Sequence, residues 1–509
     1  MKWALALLTL GLFVALPMDR IFSDGLFLIR LVEAGPTPYY NVAYVPLGYA
    51  LHGVFEPVFG WSVDTALTVF SAILMSVGVW GTVDLGLKLG LGKAPLALSA
   101  LLLLCSPGAL FFGTTVEVHA MQFAGAAWAV NLAWSARERL GFAAWRMLAL
   151  AFAVAFLAHL SHAIILPGLW LLARRSKPID PTHSAVSHGC QISKRGMPWL
   201  IGALVVVGCI SGYLSTLEFS EWGHQRYLVW ISALWTFAKN FVDAAFERGL
   251  FALFEMGEYL NDELLTQAAL LLAGLLIGAF AWARLLARKT FESEPGEFAA
   301  RAFPMILPAL FIFPQGGVWE HGAYFLTYYP AFTLGIAWAL DRGLMSKMQP
   351  FAWAGLALVL VIPQLWLALG NRSDYQSERV DARAWMASIS EQVGLGDSVI
   401  TSTLARMNAL EYERPDLVRA DFKRRMDSIP ARGRSALLID EVGQAIGPLL
   451  GPAGAGKSMW LDMDLFERRW GSASEDWREE LRGLLQRPGI QVEEFPTPGA
   501  ELLRIRLVN

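Results

Sequence analysis

Residues 62–137 read SVDTALTVFSAILMSVGVWGTVDLGLKLGLGKAPLALSALLLLCSPGALFFGTTVEVHAMQFAGAAWAVNLAWSAR. Three apolar runs, near 62–83, 94–113 and 119–135, each approach the ~20 residues that a spanning helix needs. Two short polar turns of different chemistry separate them: one carries Lys88 and Lys93, the other, TTVEVH, carries Glu117 and His119. These runs carry almost no charge at their centres. The stretch predicts three consecutive membrane crossings.

Working outward, eight further apolar runs lie near 3–19, 145–159, 162–173, 198–217, 266–284, 302–314, 322–340 and 350–370, giving about eleven spans in all. The runs at 162–173 and 302–314 are short and read as half-buried or broken helices. Lys2 followed by WALALLTLGLFVALP also has the form of a secretory signal, whose removal would leave the next loop on the same side. Past residue 370 the composition changes: charged residues make up about 12% of 1–370 and about 29% of 371–509. The fold class expected is a polytopic α-helical membrane part, 1–370, followed by a soluble α/β domain, 371–509. In that tail SVIT, ALLID, SMWLDM, IQVEEF and LLRIRL alternate with helical patterns, about five strands in all.

Lys and Arg set the orientation, because cytoplasmic loops retain them. Lys2, Lys88, Lys93, Arg137, Arg139, Arg146, Arg301 and ten more fall in one set of loops. Only Arg20, Arg30, Arg226, Lys239 and Arg248 fall in the other before the tail. The N-terminus is expected inside the cell and the tail outside, in the plasma or inner membrane of a bacterium. The first outer loop, 20–61, holds two stretches with apolar residues at helical spacing, and loop 218–265 is rich in Trp and Tyr. Both read as interfacial segments. A net charge of −3 with no long basic run excludes a nucleic-acid binder, and three cysteines exclude a disulfide scaffold.

Polar residues collect on the outer side. His52, His119, His159, His162, His224 and His321 fall there, with Asp24, Glu33, Glu117, Glu218, Glu221 and Glu320. Acids and imidazoles gathered at one membrane face point to an active cleft; the plainer reading is that polar residues end spans. Asp24, just after the first span and before a helical stretch, either lines that cleft or caps the helix.

Ser23-Asp24-Gly25 after the first span, Thr115-Val116-Glu117-Val118-His119 after the third, HLSHAIILPGL at 159–169 and GDSVITSTLARMNALEYERPDL at 396–417 together resemble the multi-spanning glycosyltransferases of the GT-C fold. More narrowly, the chain resembles the bacterial O-mannosyltransferase-related family catalogued as a domain of unknown function. It departs where that family has Tyr at the position of His119. Where the family has a His-Pro-Pro-Gly-Tyr-Pro run, this chain keeps only Pro46, Gly48 and Tyr49. The resemblance implies transfer of a sugar, mannose favoured, from a polyprenyl-phosphate carrier to a hydroxyl of a protein, lipid or glycan acceptor outside the cytoplasm. It implies Asp24 as general base with inversion, Glu117 and His119 orienting groups around it, and Arg30 and Arg226 as candidates to meet the leaving phosphate. Glu33, Tyr49, His159, His162, Glu320 and His321 complete the expected substrate-binding set.

No cofactor is implied. A zinc site built on His159 and His162 with Glu117, His119 and His321 is the less favoured reading, since the i, i+4 metalloprotease spacing is absent. Residues 451–458, GPAGAGKS, match the phosphate-loop pattern, but the segment after them reads as a strand where that loop needs a helix. The rival functions are a transporter, which would carry charge or matched broken helices at mid-membrane, and a non-catalytic protein whose outer domain binds an envelope partner.

Overall fold

The structure, a computed structural model, describes residues 2–17, 23–35, 43–137, 142–158, 165–173, 296–302 and 327–343. It also describes short pieces within 198–205 and 353–369, and, in the tail, isolated residues together with 397–400, 418–419, 458–462, 489–497 and 500–507. Contacts divide the chain into two compact units, Met1–Met18 with Phe27–Arg372, and Asp19–Leu26 with Ser373–Asn509.

In the first unit, α1 is Lys2–Ala15, α2 Ser23–Ala34, α3 Tyr44–Phe59, α4 Val63–Lys88, α5 Lys93–Leu104, α6 Pro107–Thr114, α7 His119–Ala136, α8 Phe142–Ala158, α9 Leu166–Ala173 and α10 Tyr329–Gly343. The first four residues of α2 fall in the other unit. Among the described residues α4 alone is long and apolar enough to cross a membrane; α5 and α6 reach that length and apolarity only when taken together across a sharp bend. Nearly all of the runs at 266–284 and 302–314, most of 198–217, and the loop 218–265 lie outside the described residues.

The sequence explains how α4 begins and ends. Asp64 lies in its first turn and Lys88 in its last, each matched to the helix dipole. It stops at Gly90, whose φ of 71° only glycine adopts cheaply. There Leu91 N–H donates to Gly86 O and Gly90 N–H to Leu87 O, both at 3.1 Å, closing a Schellman cap.

The run 94–113, expected as one span, is broken. Helices α5 and α6 meet at 63°. Ser106 caps α6 by accepting from the Ala109 amide at 3.2 Å, with Pro107 beginning the helix.

Close packing holds the unit together where lipid gives helices no hydrophobic reason to associate. Gly78 of α4 sits under the Phe123 ring of α7, and Gly125 of α7 lies against the Ala155 backbone of α8. Helix α1 lies along α4, where Trp3 and Trp80 are 4.3 Å apart between ring centroids. Near its other end, the buried Phe13 covers Gly113 of α6.

Four of the basic residues assigned to one side meet at one end of this unit. Lys2 and Lys88 both contact Asp84, at 2.6 and 2.9 Å. Lys88 also donates to Asn131 Oδ1 at 2.6 Å and to Ser135 Oγ at 3.1 Å. Arg137 and Arg301 share Glu297, at 2.8 and 2.9 Å.

The second unit holds a five-stranded sheet of order β2-β1-β3-β5-β4. Its strands are β1 Ser398–Ile400, β2 Val418–Arg419, β3 Ser458–Asp462, β4 Ile490–Thr497 and β5 Ala500–Leu507. Strand β1 runs parallel to β2 and β3, while β5 is antiparallel to β3 and β4. Asp397, almost fully buried, ties the sheet's centre. It accepts from Ser458 N at 2.8 Å, Trp460 Nε1 at 3.0 Å and Gly394 N at 3.0 Å. Ser458 therefore opens a strand, and the helix that a phosphate loop needs after GPAGAGK is not there. ALLID lies outside the described residues.

Candidate active site

Helices α4 and α7 lie side by side and run in the same direction. Their register is fixed by pairs 47 residues apart: Lys88 with Ser135 at 3.1 Å, and Asp84 with Asn131 at 3.1 Å. Gly81 against Trp128 repeats the same offset. Carried along the helices at 1.5 Å per residue, this register sets Ser71 level with Val118, between Glu117 and His119. Ser71 is two turns before Gly78 on the face of α4 that meets α7. One turn of α4 thus faces the turn that the sequence singles out.

Around this level the side chains are polar and buried. Glu117 and His119 are 7% and 5% exposed, and Ser71 and Tyr44 are fully enclosed. Tyr44 arrives from α3, its ring 5.5 Å from that of Phe70. Gly48, one turn on, lets α3 settle on Leu67. Burial pushes the Tyr44 phenol up; Ser71 offsets part of that rise and the nearby Glu117 carboxylate adds to it.

Glu117 Oε2 accepts from the Val118 amide at 3.2 Å. His119 Nδ1 lies 2.9 Å from Gln122 Oε1, one turn along α7. A ring that donates through Nδ1 keeps Nε2 as its acceptor nitrogen. Phe112 of α6 packs its ring at 4.8 Å across His119, and Thr114 and Thr115 end α6 with hydroxyls bonded to Leu110 and Phe111 carbonyls. The result is a carboxylate, an imidazole and the hydroxyls of Tyr44 and Ser71, held by three chain segments: α3, α4 and the turn into α7.

The structure describes some of the other residues expected at the site. Asp24 is the second residue of α2, inside its first turn and not the residue before the helix, where a cap would stand. Arg30, six residues further along α2, is half-buried, and Glu33 is exposed. Tyr49, 43% exposed, stands at the surface of α3, and His52 beside it is 3.9 Å from Glu56. His159, His162, Arg226, Glu320 and His321 lie outside the described residues. Among the described residues no three His, Cys, Asp or Glu side chains converge on a metal position.

Sequence reading missed Tyr44, Ser71 and Gln122. Gln122 had a local signal, being one helical turn after His119. Tyr44 and Ser71 had none, because each reaches the layer through a helix-helix register that no local pattern encodes.

No family model matches the chain, and no curated protein matches it in sequence. Solved structures do match it in fold. The oligosaccharyltransferase of Archaeoglobus fulgidus, crystallised with Zn and sulfate, matches with a TM-score of 0.51 and 16% identity over 91% of this chain and 68% of that one. ArnT from Cupriavidus metallidurans, bound to undecaprenyl phosphate, matches with a TM-score of 0.52 and 12% identity over 99% of this chain and 97% of that one. The likeness is one of fold, and it places the chain among polytopic α-helical membrane proteins of the GT-C fold.

Proposed function

We propose that the protein is an integral-membrane glycosyltransferase that moves a sugar, mannose in the favoured case, from a polyprenyl-phosphate carrier to an acceptor hydroxyl outside the cytoplasm. The observation that carries this reading is the fold it shares, over nearly its whole length, with ArnT, which was solved with undecaprenyl phosphate bound. Seventeen basic residues in one set of loops against five in the other support an inside N-terminus and an outward-facing site.

In this reaction Asp24 takes the proton of the acceptor hydroxyl. The acceptor oxygen forms a bond to the anomeric carbon, the bond from that carbon to the phosphate oxygen breaks, and polyprenyl phosphate leaves from the opposite face with inversion. General-base help of this kind contributes about 10²–10⁴-fold. Negative charge is redistributed onto the departing phosphate, so a cation beside it stabilises the transition state. Arg30, on the same helix as Asp24, and Arg226 are the candidates for that role. Glu117 and His119 hold donor or acceptor hydroxyls in place, as a buried acceptor pair at the start of α7 is suited to do. The acceptor is a protein, lipid or glycan hydroxyl.

The test is transfer by the purified protein in detergent, supplied with labelled polyprenyl-phosphate-mannose or polyprenyl-phosphate-glucose and cell-envelope acceptors. The expected result is label in the acceptor with the anomeric configuration opposite to that of the donor. Absence of both transfer and donor binding would favour a protein that docks an envelope partner instead.

A further inference from the structure

Two buried hydroxyls beside Glu117 lack hydrogen-bond partners among the described residues: Tyr44 Oη and Ser71 Oγ. They come from different helices, α3 and α4, and neither is exposed at all. They lie close enough for Ser71 to offset part of the rise in the Tyr44 phenol, but no hydrogen bond of good geometry joins them. A buried hydroxyl without a partner is destabilising, and native interiors keep few of them. Two at the level of a buried carboxylate need a reason beyond packing.

Their chemistry selects the ligand. A phenol O–H donates to a sugar oxygen, a serine hydroxyl donates or accepts, and a carboxylate accepts from a sugar O–H. That set complements several hydroxyl groups on one ring. A phosphate is the poorer fit, because its charge would be repelled by Glu117 in a surround of low dielectric. Resting on the glycosyltransferase reading above, we propose that Tyr44 and Ser71, with Glu117, bind hydroxyl groups of the donor's sugar and so set which sugar the protein accepts. Both hydroxyls are enclosed, so binding a sugar there requires α3 to move away from α4. The polyprenyl phosphate is held by other residues.

The experiment compares the full-length native protein with Tyr44→Phe and Ser71→Ala, both conservative in volume. Affinity is measured for polyprenyl-phosphate-mannose, polyprenyl-phosphate-glucose and sugar-free polyprenyl phosphate, alongside thermal melting. Each variant is expected to lose about tenfold in affinity for the preferred sugar-bearing donor, the size of one hydrogen bond. Its affinity for sugar-free polyprenyl phosphate stays unchanged, and it melts no lower than native because it has lost an unsatisfied hydroxyl. An unchanged ratio of sugar-bearing to sugar-free affinity in both variants overturns the proposal while leaving the glycosyltransferase reading intact. A native protein that binds neither the sugar-bearing donors nor the bare carrier overturns both.

Discussion

Lys2 Nζ lies 2.6 Å from Asp84 Oδ1, joining the first turn of α1 to the last turns of α4. Asp84 is the hub of a small network, since its other oxygen meets Lys88 at 2.9 Å and the Asn131 amide at 3.1 Å. Three helices therefore end on one carboxylate, and the same contacts fix the register that aligns Ser71 with Glu117 and His119 some four turns away.

Removing the hub should loosen the bundle more than removing a spoke. Asp84→Ala leaves the Asn131 amide and two ammonium groups without their common acceptor, and should cost about 1–3 kcal/mol. Lys2→Met removes a partner that is 36% exposed, and should cost at most about 1 kcal/mol. Thermal melting in detergent checks the order; equal losses would mean that the network is not centred on Asp84.

The crossing of α7 and α8 depends on Gly125. A methyl group there would sit 2.3 Å from Ala155 Cβ and 2.7 Å from Ala155 Cα, and backbone cannot rotate away as a side chain can. Gly125→Ala should destabilise by about 1–3 kcal/mol. Gly53, also helical, has open space around it, so Gly53→Ala should be neutral or stabilising by up to about 1 kcal/mol. The two melting curves should move apart.

In the C-terminal unit, Asp397→Ala would strip the Ser458 amide, the Trp460 indole and the Gly394 amide of one shared acceptor. A loss of about 3 kcal/mol is expected, read as faster proteolysis confined to 373–509. Asp397→Asn keeps one acceptor oxygen and should fall between the two. Uniform proteolysis along the chain would show that Asp397 does not act locally.

Sidedness is open to chemical labelling. Ser62 and Lys93 are both exposed, before α4 and at the start of α5. With the native cysteines replaced, Ser62→Cys should react with a membrane-impermeant thiol reagent in intact cells, and Lys93→Cys only after the membrane is opened. The reverse pattern would invert the orientation.

The fold was legible where one local property decides an element. The apolar run near 62–83 lies in α4, SVIT and SMWLDM contain β1 and β3, and IQVEEF and LLRIRL lie within β4 and β5. The break inside 94–113 was written in Ser106-Pro107, a capping residue before a helix-starting proline, but the surrounding leucines masked it. Strand β2, two residues long, has no pattern to read, since alternation needs several positions. At the site, Glu117 and His119 stood out because polar residues in a span-ending turn are conspicuous. Tyr44 and Ser71 did not, because a tyrosine and a serine within apolar helices are ordinary until tertiary register brings them to a carboxylate.

The central claim is that Asp24 serves as the base in sugar transfer. The direct measurement is initial rate of transfer from polyprenyl-phosphate-mannose, or from the glucose donor if that is preferred, by the native protein and by Asp24→Asn, with melting and donor binding followed in both. The account predicts a rate at least about 100-fold lower in the variant, with its melting temperature and donor affinity unchanged. Transfer at the native rate by a variant whose position 24 carries no carboxylate would contradict it.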